Sequence, residues 1–543
     1  MDHQLPITLS YWTLSLLPLI ALLVMMVWFS WSGAVSGGIA LALSLGIAFI
    51  FFNVPWDTAL VGIGKGVWDA FFILLVVWPA LLIYQVADKA GAFKAIRKGI
   101  EKYSQNYLFL VLAFGWIFSS ILQGIAGFGA PIAIVTPLLI GLGVKPYMAI
   151  VIALIGHAWG KMFGTLAVGW MATLNVVDIE NQAESLLYHG ILLWIPNLLG
   201  GFMICYLFAK WKGIRAVWPF VLVVSLIQGG GQLALLQVNP TISAFVPATL
   251  SLGAVIVFSR FTRYKERNEE LENASSIFES PDEDDSEVKL PLHTAFMPYY
   301  VLTGLSIAML GVPFILKFLE SVEFGFAFPE VSTGYDYTTE SESAYSPIAP
   351  FTHPGLYLFI SSIFGYFWYK TKGHYKSLTS EGKNPLQVIG KGTASEALGA
   401  SMAIIAFLTV AQTMEHSGQT NVLALGIAAV SSPVVYAALA SMIGVAGAYI
   451  TSSSTSANVL FSPLHASVVE SMDGLKLEQV IASQSAGGAV GNVVAPANII
   501  LGTSTAGIKG KETKKIYKPT LIFLGICTVC ISAVAVLFHL MFN

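Results

Sequence analysis

Gln123-Gly-Ile-Ala-Gly-Phe-Gly-Ala-Pro131, followed by Gly156-His-Ala-Trp-Gly-Lys-Met-Phe-Gly164, interrupts a membrane-length apolar stretch at 107–170. A second stretch, 421–505, is interrupted at matching places by Thr451-Ser-Ser-Ser-Thr-Ser-Ala-Asn458 and Gly487-Gly-Ala-Val-Gly-Asn-Val-Val-Ala-Pro-Ala-Asn498. Backbone that leaves the helix inside hydrocarbon must have its N–H and C=O groups satisfied elsewhere, so it survives only within protein or along a wet cavity. Paired breaks in corresponding halves point to the binding site of a secondary transporter. Each stretch therefore reads as a re-entrant hairpin followed by one discontinuous helix.

The rest of the chain fits that setting. Of 543 residues, 55% are hydrophobic and 11% charged, against about 25% charged in soluble domains. Mean hydropathy is +0.72. Simple spans are expected at about 11–31, 33–52, 68–87, 185–209, 216–236, 242–259, 294–316, 351–369, 395–414 and 519–541. The fold class is an all-α polytopic membrane protein with about 12 crossings, and the alternating pattern of a membrane β-barrel is missing. Segment 11–31 lacks a basic leader and a small-residue cleavage site, so it reads as a retained span. Cys527 and Cys530 have redox-like spacing without a βαβ context and read as small buried hydrophobes.

Charge orients the spans. If 107–142 enters and leaves on one side, loops 88–105, 210–215, 260–293, 370–393 and 509–518 share a face and carry 23 of the 28 Lys and Arg. The positive-inside rule makes that face cytoplasmic. Both termini and the acidic loop 317–350 then fall on the external face of the membrane. Segment 260–293 reads as a solvated linker. Aligning Pro137-Leu138 with Pro463-Leu464, and then Gly160 with Gly487, pairs 68–209 with 395–543. The loop charges of the two units have opposite sign, as inverted repeats require. The expected organisation is an N-terminal helix pair at 1–67, repeat 1 at 68–209, intervening helices at 210–394 and repeat 2 at 395–543.

Lys161 is the costliest residue in the chain, since mid-span lysine costs about 2.5–3.5 kcal/mol on insertion scales. His157 lies four residues earlier, on the same helical face. Lys161 would attract a small carboxylate; His157 would hydrogen-bond it, and both are proton-coupling candidates. Gly127 and its neighbours make a tip whose N–H groups suit an anion, with Gln123 as a polar contact. Ser452, Ser453, Ser454, Thr455, Ser456 and Asn458 make the second tip, to hold substrate or Na+. Asn492 marks the second broken helix. His416, His465 and Glu415 read as groups near aqueous ends. No metal cluster, nucleotide loop, nucleic-acid patch or nucleophile–base pair is present in the sequence, so neither an enzyme nor a cofactor is expected.

These four motifs together resemble the bacterial L-lactate permease family, within the larger ion transporter superfamily, over nearly the whole chain. The resemblance implies uptake of L-lactate, and also D-lactate and glycolate, with protons. It also implies inverted repeats with paired hairpins and an elevator-like transport domain. The Ser/Thr/Asn tip is similar to the hairpin motif of sodium-coupled carboxylate transporters, which keeps Na+ as the alternative coupling ion. A homodimer is one admissible assembly. The orientation predicts that cysteine placed at Ser276 is labelled by an impermeant thiol reagent only from inside, and cysteine at Thr339 only from outside. Labelling of both from one side would overturn it.

Overall fold

The computed structural model describes the chain apart from residues 1–4, 26–28, 30, 126, 128, 279–289, 311–318, 320, 452, 509–511 and 543. Parts of the 260–293 linker and of loop 317–350 therefore lie outside the described residues, as does Ser452. Seven described helices are long and apolar enough to cross a membrane, or eight counting one bent pair. Three shorter apolar helices, Leu9–Leu22, Pro131–Gly141 and Pro433–Tyr449, accompany them among the described residues.

The chain opens with α1 (Leu9–Leu23), α2 (Gly33–Phe51), α3 (Trp56–Lys89) and the amphipathic α4 (Ala92–Glu101). The first hairpin follows: α5 (Tyr107–Ile125), a turn at Gly127–Gly129, and α6 (Ala130–Gly141). Asn106 caps α5, its side chain accepting from the Phe109 N–H at 3.1 Å. Gly129 supplies the left-handed residue of the turn (φ 91°), a conformation costly for any residue with a Cβ, and Pro131 starts α6. The discontinuous helix is α7 (Pro146–Gly156), a 3-10 turn at Ala158–Gly160, and α8 (Gly164–Leu174), bent by 54°.

The next element, α9 (Gln182–Leu236), is a single 55-residue apolar run, yet it doubles back. Ala209 and Lys210 leave the helix, Lys210 at φ 53°. Beyond them Asn197 donates to Gln228 at 2.8 Å and accepts from Ser225 at 2.8 Å, across two antiparallel limbs. These limbs are the separate spans expected at 185–209 and 216–236. After them come α10 (Phe245–Phe258), α11 (Leu292–Leu310), α12 (Pro354–Thr371) and α13 (Pro385–His416).

The second interrupted stretch starts with a helix of its own, α14 (Gln419–Val430), so its hairpin begins later than 421. That hairpin is α15 (Pro433–Thr451) and α16 (Ser454–Ser471). Ser453 caps α16, its hydroxyl accepting from the Ser456 N–H at 3.1 Å. Then come α17 (Leu477–Gly491), a 3-10 turn at Asn492–Val494, α18 (Pro496–Ala506) and α19 (Thr513–Phe542). The second break thus lies past Gly487, which sits inside α17. The register carrying Gly160 onto Gly487 does not superpose the two breaks, because a glycine stripe also serves plain packing. A Cβ on Gly487 would collide with Ser441 O, and one on Gly444 with Gln484 O, so α15 and α17 touch through backbone.

Three of the basic loops, 88–105, 210–215 and 260–293, meet at one end of the molecule. Gln105 N–H donates to Lys265 O at 2.7 Å, Lys145 N–H to Ile277 O at 2.8 Å, and Lys212 pairs with Glu270 at 2.9 Å. Both ends of the first hairpin lie there. At the acidic end, Glu184 pairs with Lys476 at 3.0 Å, and the end of α16 lies beside it. Loop 317–350 departs from the all-α expectation: β1 (Phe324–Phe328) pairs antiparallel with β4 (Glu342–Ile348), and β2 (Val331–Ser332) with β3 (Thr338–Thr339).

Overpacking the α15–α17 contact costs about 1–3 kcal/mol. Gly487→Val is expected to lower the melting temperature of the detergent-purified protein. Gly525→Ala, where nothing lies within 4 Å of the new Cβ, should leave it unchanged.

Candidate functional site

The two tips and the two broken helices converge on a cavity of about 310 Å3. Gln123 and Gly129 come from the first hairpin, and Ser453, Ser454, Thr455 and Ser456 from the second. Lys161 and Thr165 come from the first broken helix, and Asn492 and Asn498 from the second. The opposite wall is apolar: Gly33 of α2, with Ala400, Ala403, Ile404 and Phe407 of α13. Residues at the starts of α6, α16 and α18 border this space. Helix N-termini present free N–H groups and a partial positive charge of roughly half a unit each. The cavity is therefore polarised to receive an anion on one side and a small apolar group on the other.

Lys161 supplies the formal charge. It directly follows the 3-10 turn, where the break turns its side chain into the cavity. No carboxylate lies within ion-pair distance of it among the described residues. The breaks around it are internally satisfied. Thr165 Oγ1 accepts from the Gly127 N–H at 2.8 Å, tying the first tip to α8. Asn498 Nδ2 donates to Asn492 O at 2.9 Å, spanning the second break. Thr165, Leu166 and Ala167 have left-handed φ values of 50°, 55° and 64°. Three such residues in a row cost about 1–2 kcal/mol each, and strain of this kind persists only where the surroundings enforce it.

Other expected residues lie elsewhere. His157 is fully buried behind the cavity, its Nδ1 against Ala153 O and its Nε2 without a partner. Because the helix breaks between them, His157 and Lys161 do not share a face. Gly127 faces Thr165 and Gln123 rather than open space. Asn458 is one turn inside α16 and donates to Met162 Sδ at 2.9 Å. Gln123, Lys161, Ser453, Ser454, Thr455, Ser456 and Asn492 are the sequence-derived candidates that the fold gathers at one cavity.

The model of the family described as L-lactate permease matches residues 12–542. The chain belongs to the L-lactate permease family. It is 24% identical to an L-lactate permease of Halalkalibacterium halodurans, over 95% of this chain and 96% of that one. A glycolate permease of Escherichia coli, GlcA, is 26% identical over 95% and 94%, and an Escherichia coli L-lactate permease 24% identical over 92% and 91%. The solved YdaH transporter of Alcanivorax borkumensis aligns with 84% of each chain, at 14% identity and a TM-score of 0.40. The protein is accordingly an integral membrane transporter rather than an enzyme.

Several groups of this permease escaped sequence reasoning. The apolar wall on α13 and the lining residue Thr165 are among them; Thr165 lies in a broken motif but carried no signal of direction. His416 and His465, expected near aqueous ends, are buried, and His465 bonds Tyr436 at 2.7 Å. Lys65 and Asp69, four residues apart on α3, are both buried, and that spacing was the missed signal. Lys65 pairs with Glu342 of β4 at 2.8 Å. Asp69 accepts from Tyr345 at 2.8 Å and Gln412 at 3.0 Å. Burial, and next the Asp69 charge, push the Tyr345 hydroxyl well above the usual tyrosine range, so it stays a donor. Loop 317–350 is thereby latched onto α3 and α13. Glu342→Gln should strand a buried cation and destabilise the protein by about 1 kcal/mol, seen as a lower melting temperature; the effect is this small because Glu342 is itself partly exposed. Adding Lys65→Met should restore most of the loss, and an additive double variant would refute the pairing.

Proposed function

We propose that this permease is a secondary active symporter that takes up L-lactate, and also D-lactate and glycolate, together with protons. The observation that carries the reading is the unpaired Lys161 ammonium inside a cavity sized for a small molecule. A 2-hydroxy monocarboxylate matches the site group by group. Its carboxylate meets Lys161 and the helix starts, its hydroxyl meets Asn492, Asn498 or the serine tip, and its short carbon end meets the α13 wall. One fixed cation suits one carboxylate; a dicarboxylate would leave a second negative charge without a lysine or arginine among the described lining residues.

His157 and Lys161 are the proton-coupling candidates. Lys161 touches the substrate space, and His157, one turn of chain away, keeps Nε2 free of any partner. We further assign 68–209 and 395–543 as two inverted units whose hairpins enter from opposite faces. In support, the ends of the first hairpin meet the basic loops, while the end of the second lies beside Glu184 and Lys476. An elevator motion would carry the tips and broken helices past the α2–α13 wall, which meets the cavity without polar contacts to it. The basic face is assigned to the cytoplasm, which leaves both termini outside. The sodium-coupled alternative draws on the oxygens of Ser453, Ser454 and Thr455, which resemble a Na+ ligand set more than a proton path.

Radiolabelled lactate uptake into proteoliposomes, under separately imposed proton and sodium gradients, tests the reading. Uptake should follow the proton gradient alone and be competed by glycolate. Lys161→Met should reduce it about tenfold or more, as loss of a charged hydrogen bond worth about 1.5–3 kcal/mol implies, without loss of membrane insertion. Normal uptake by that variant, or drive by sodium only, would overturn the substrate site or the coupling ion respectively.

A further inference from the structure

A groove of about 890 Å3, almost three times the volume of the central cavity, opens on the outside of the helix bundle. It runs between the start of α7, the first limb of α9 and the start of α19. Its floor is apolar, with Phe202 and Met203 on α9 facing Ile522, Phe523 and Ile526 on α19. Ile522 and Ile526 are 48% and 45% exposed and so open the groove sideways. Nothing in the transport reading uses this space.

One end of the groove is basic. Lys210, Lys514, Lys515 and Lys518 all line it. Lys515 reaches Glu512 at 3.5 Å and lies over the Tyr147 ring at 5.3 Å. Lys210 lies over the Tyr206 ring at 4.9 Å, at the left-handed residue where α9 reverses. Lys210, Lys514 and Lys518 have no carboxylate partner among the described residues. Trp211, 66% exposed beside them, is placed as an interfacial aromatic. On the proposed topology the four cations would stand at headgroup depth, with the apolar floor leading from them toward the middle of the span.

We infer that this groove is a binding site for an anionic phospholipid, whose phosphate sits among Lys210, Lys514 and Lys518 and whose acyl chain lies between α9 and α19. Charge decides the occupant. A zwitterionic lipid would bring its own cation into a cluster that already holds an excess, whereas a net-negative headgroup neutralises it. A free phosphate would leave the apolar floor uncovered. The lipid would bridge the two halves of the chain, because α7 and α9 belong to the first half and α19 closes the second.

The test uses the purified full-length permease with phosphatidylglycerol, phosphatidylcholine of the same chains, or inorganic phosphate. Native mass spectrometry and the melting temperature are read together. Phosphatidylglycerol should bind and raise the melting temperature, while the other two do neither. Lys514→Gln with Lys518→Gln should weaken phosphatidylglycerol binding at least tenfold, yet keep the lipid-free melting temperature. Ile526→Trp, which fills the groove without changing charge, should weaken it as well. Equal response to phosphatidylcholine would overturn the headgroup assignment, and equal response to phosphate would reduce the site to a plain anion cluster. A change of oligomeric state in the Ile526 variant, with unchanged lipid binding, would make the groove a contact between copies and refute the proposal.

Discussion

An ammonium group held inside a membrane protein without a carboxylate partner sets the terms for everything around Lys161. Such a charge is costly in low dielectric unless water or a counter-ion reaches it. Here the cost is compounded, because the helices that begin at the same cavity turn their positive ends toward it. The cavity therefore carries an excess of positive potential that an anion relieves. That one constraint accounts for the cavity, for its polarity, and for the absence of a carboxylate from its described lining.

Holding that charge at mid-depth requires broken helices, and broken helices require internal partners. Thr165 serves the first tip, Ser453 caps its own helix, and Asn498 covers the carbonyl of Asn492. Much of the hydroxyl-rich chemistry is thus occupied by backbone. Ser454 and Thr455 border the cavity. The left-handed run from Thr165 to Ala167 shows the same trade. Local strain is accepted so that Thr165 can reach Gly127 and border the site at once.

Away from the cavity, the two ends of the molecule are built differently. The basic end is joined by backbone hydrogen bonds between loops and by exposed ion pairs, which add little individually. The acidic end is latched by a small β structure whose Glu342 and Tyr345 enter a polar cluster on α3 and α13. Burial makes those contacts count, since each leaves an expensive group stranded if removed.

Much was legible from residue types and their order. Positions where glycine, proline and hydroxyl residues interrupt apolar runs marked both hairpin tips and both broken helices, because helix propensity and the cost of bare backbone in hydrocarbon are local effects. Lys161 stood out for the same reason. The tertiary structure alone decided which polar groups meet. A 3-10 turn resets helical phase, so Lys161 faces the cavity while His157, four residues away, does not. The α13 wall and the Lys65–Glu342 pair, separated by 277 residues, depend on packing between distant elements. No periodicity within either segment records that packing, because the energy that selects it arises only when the elements are in contact.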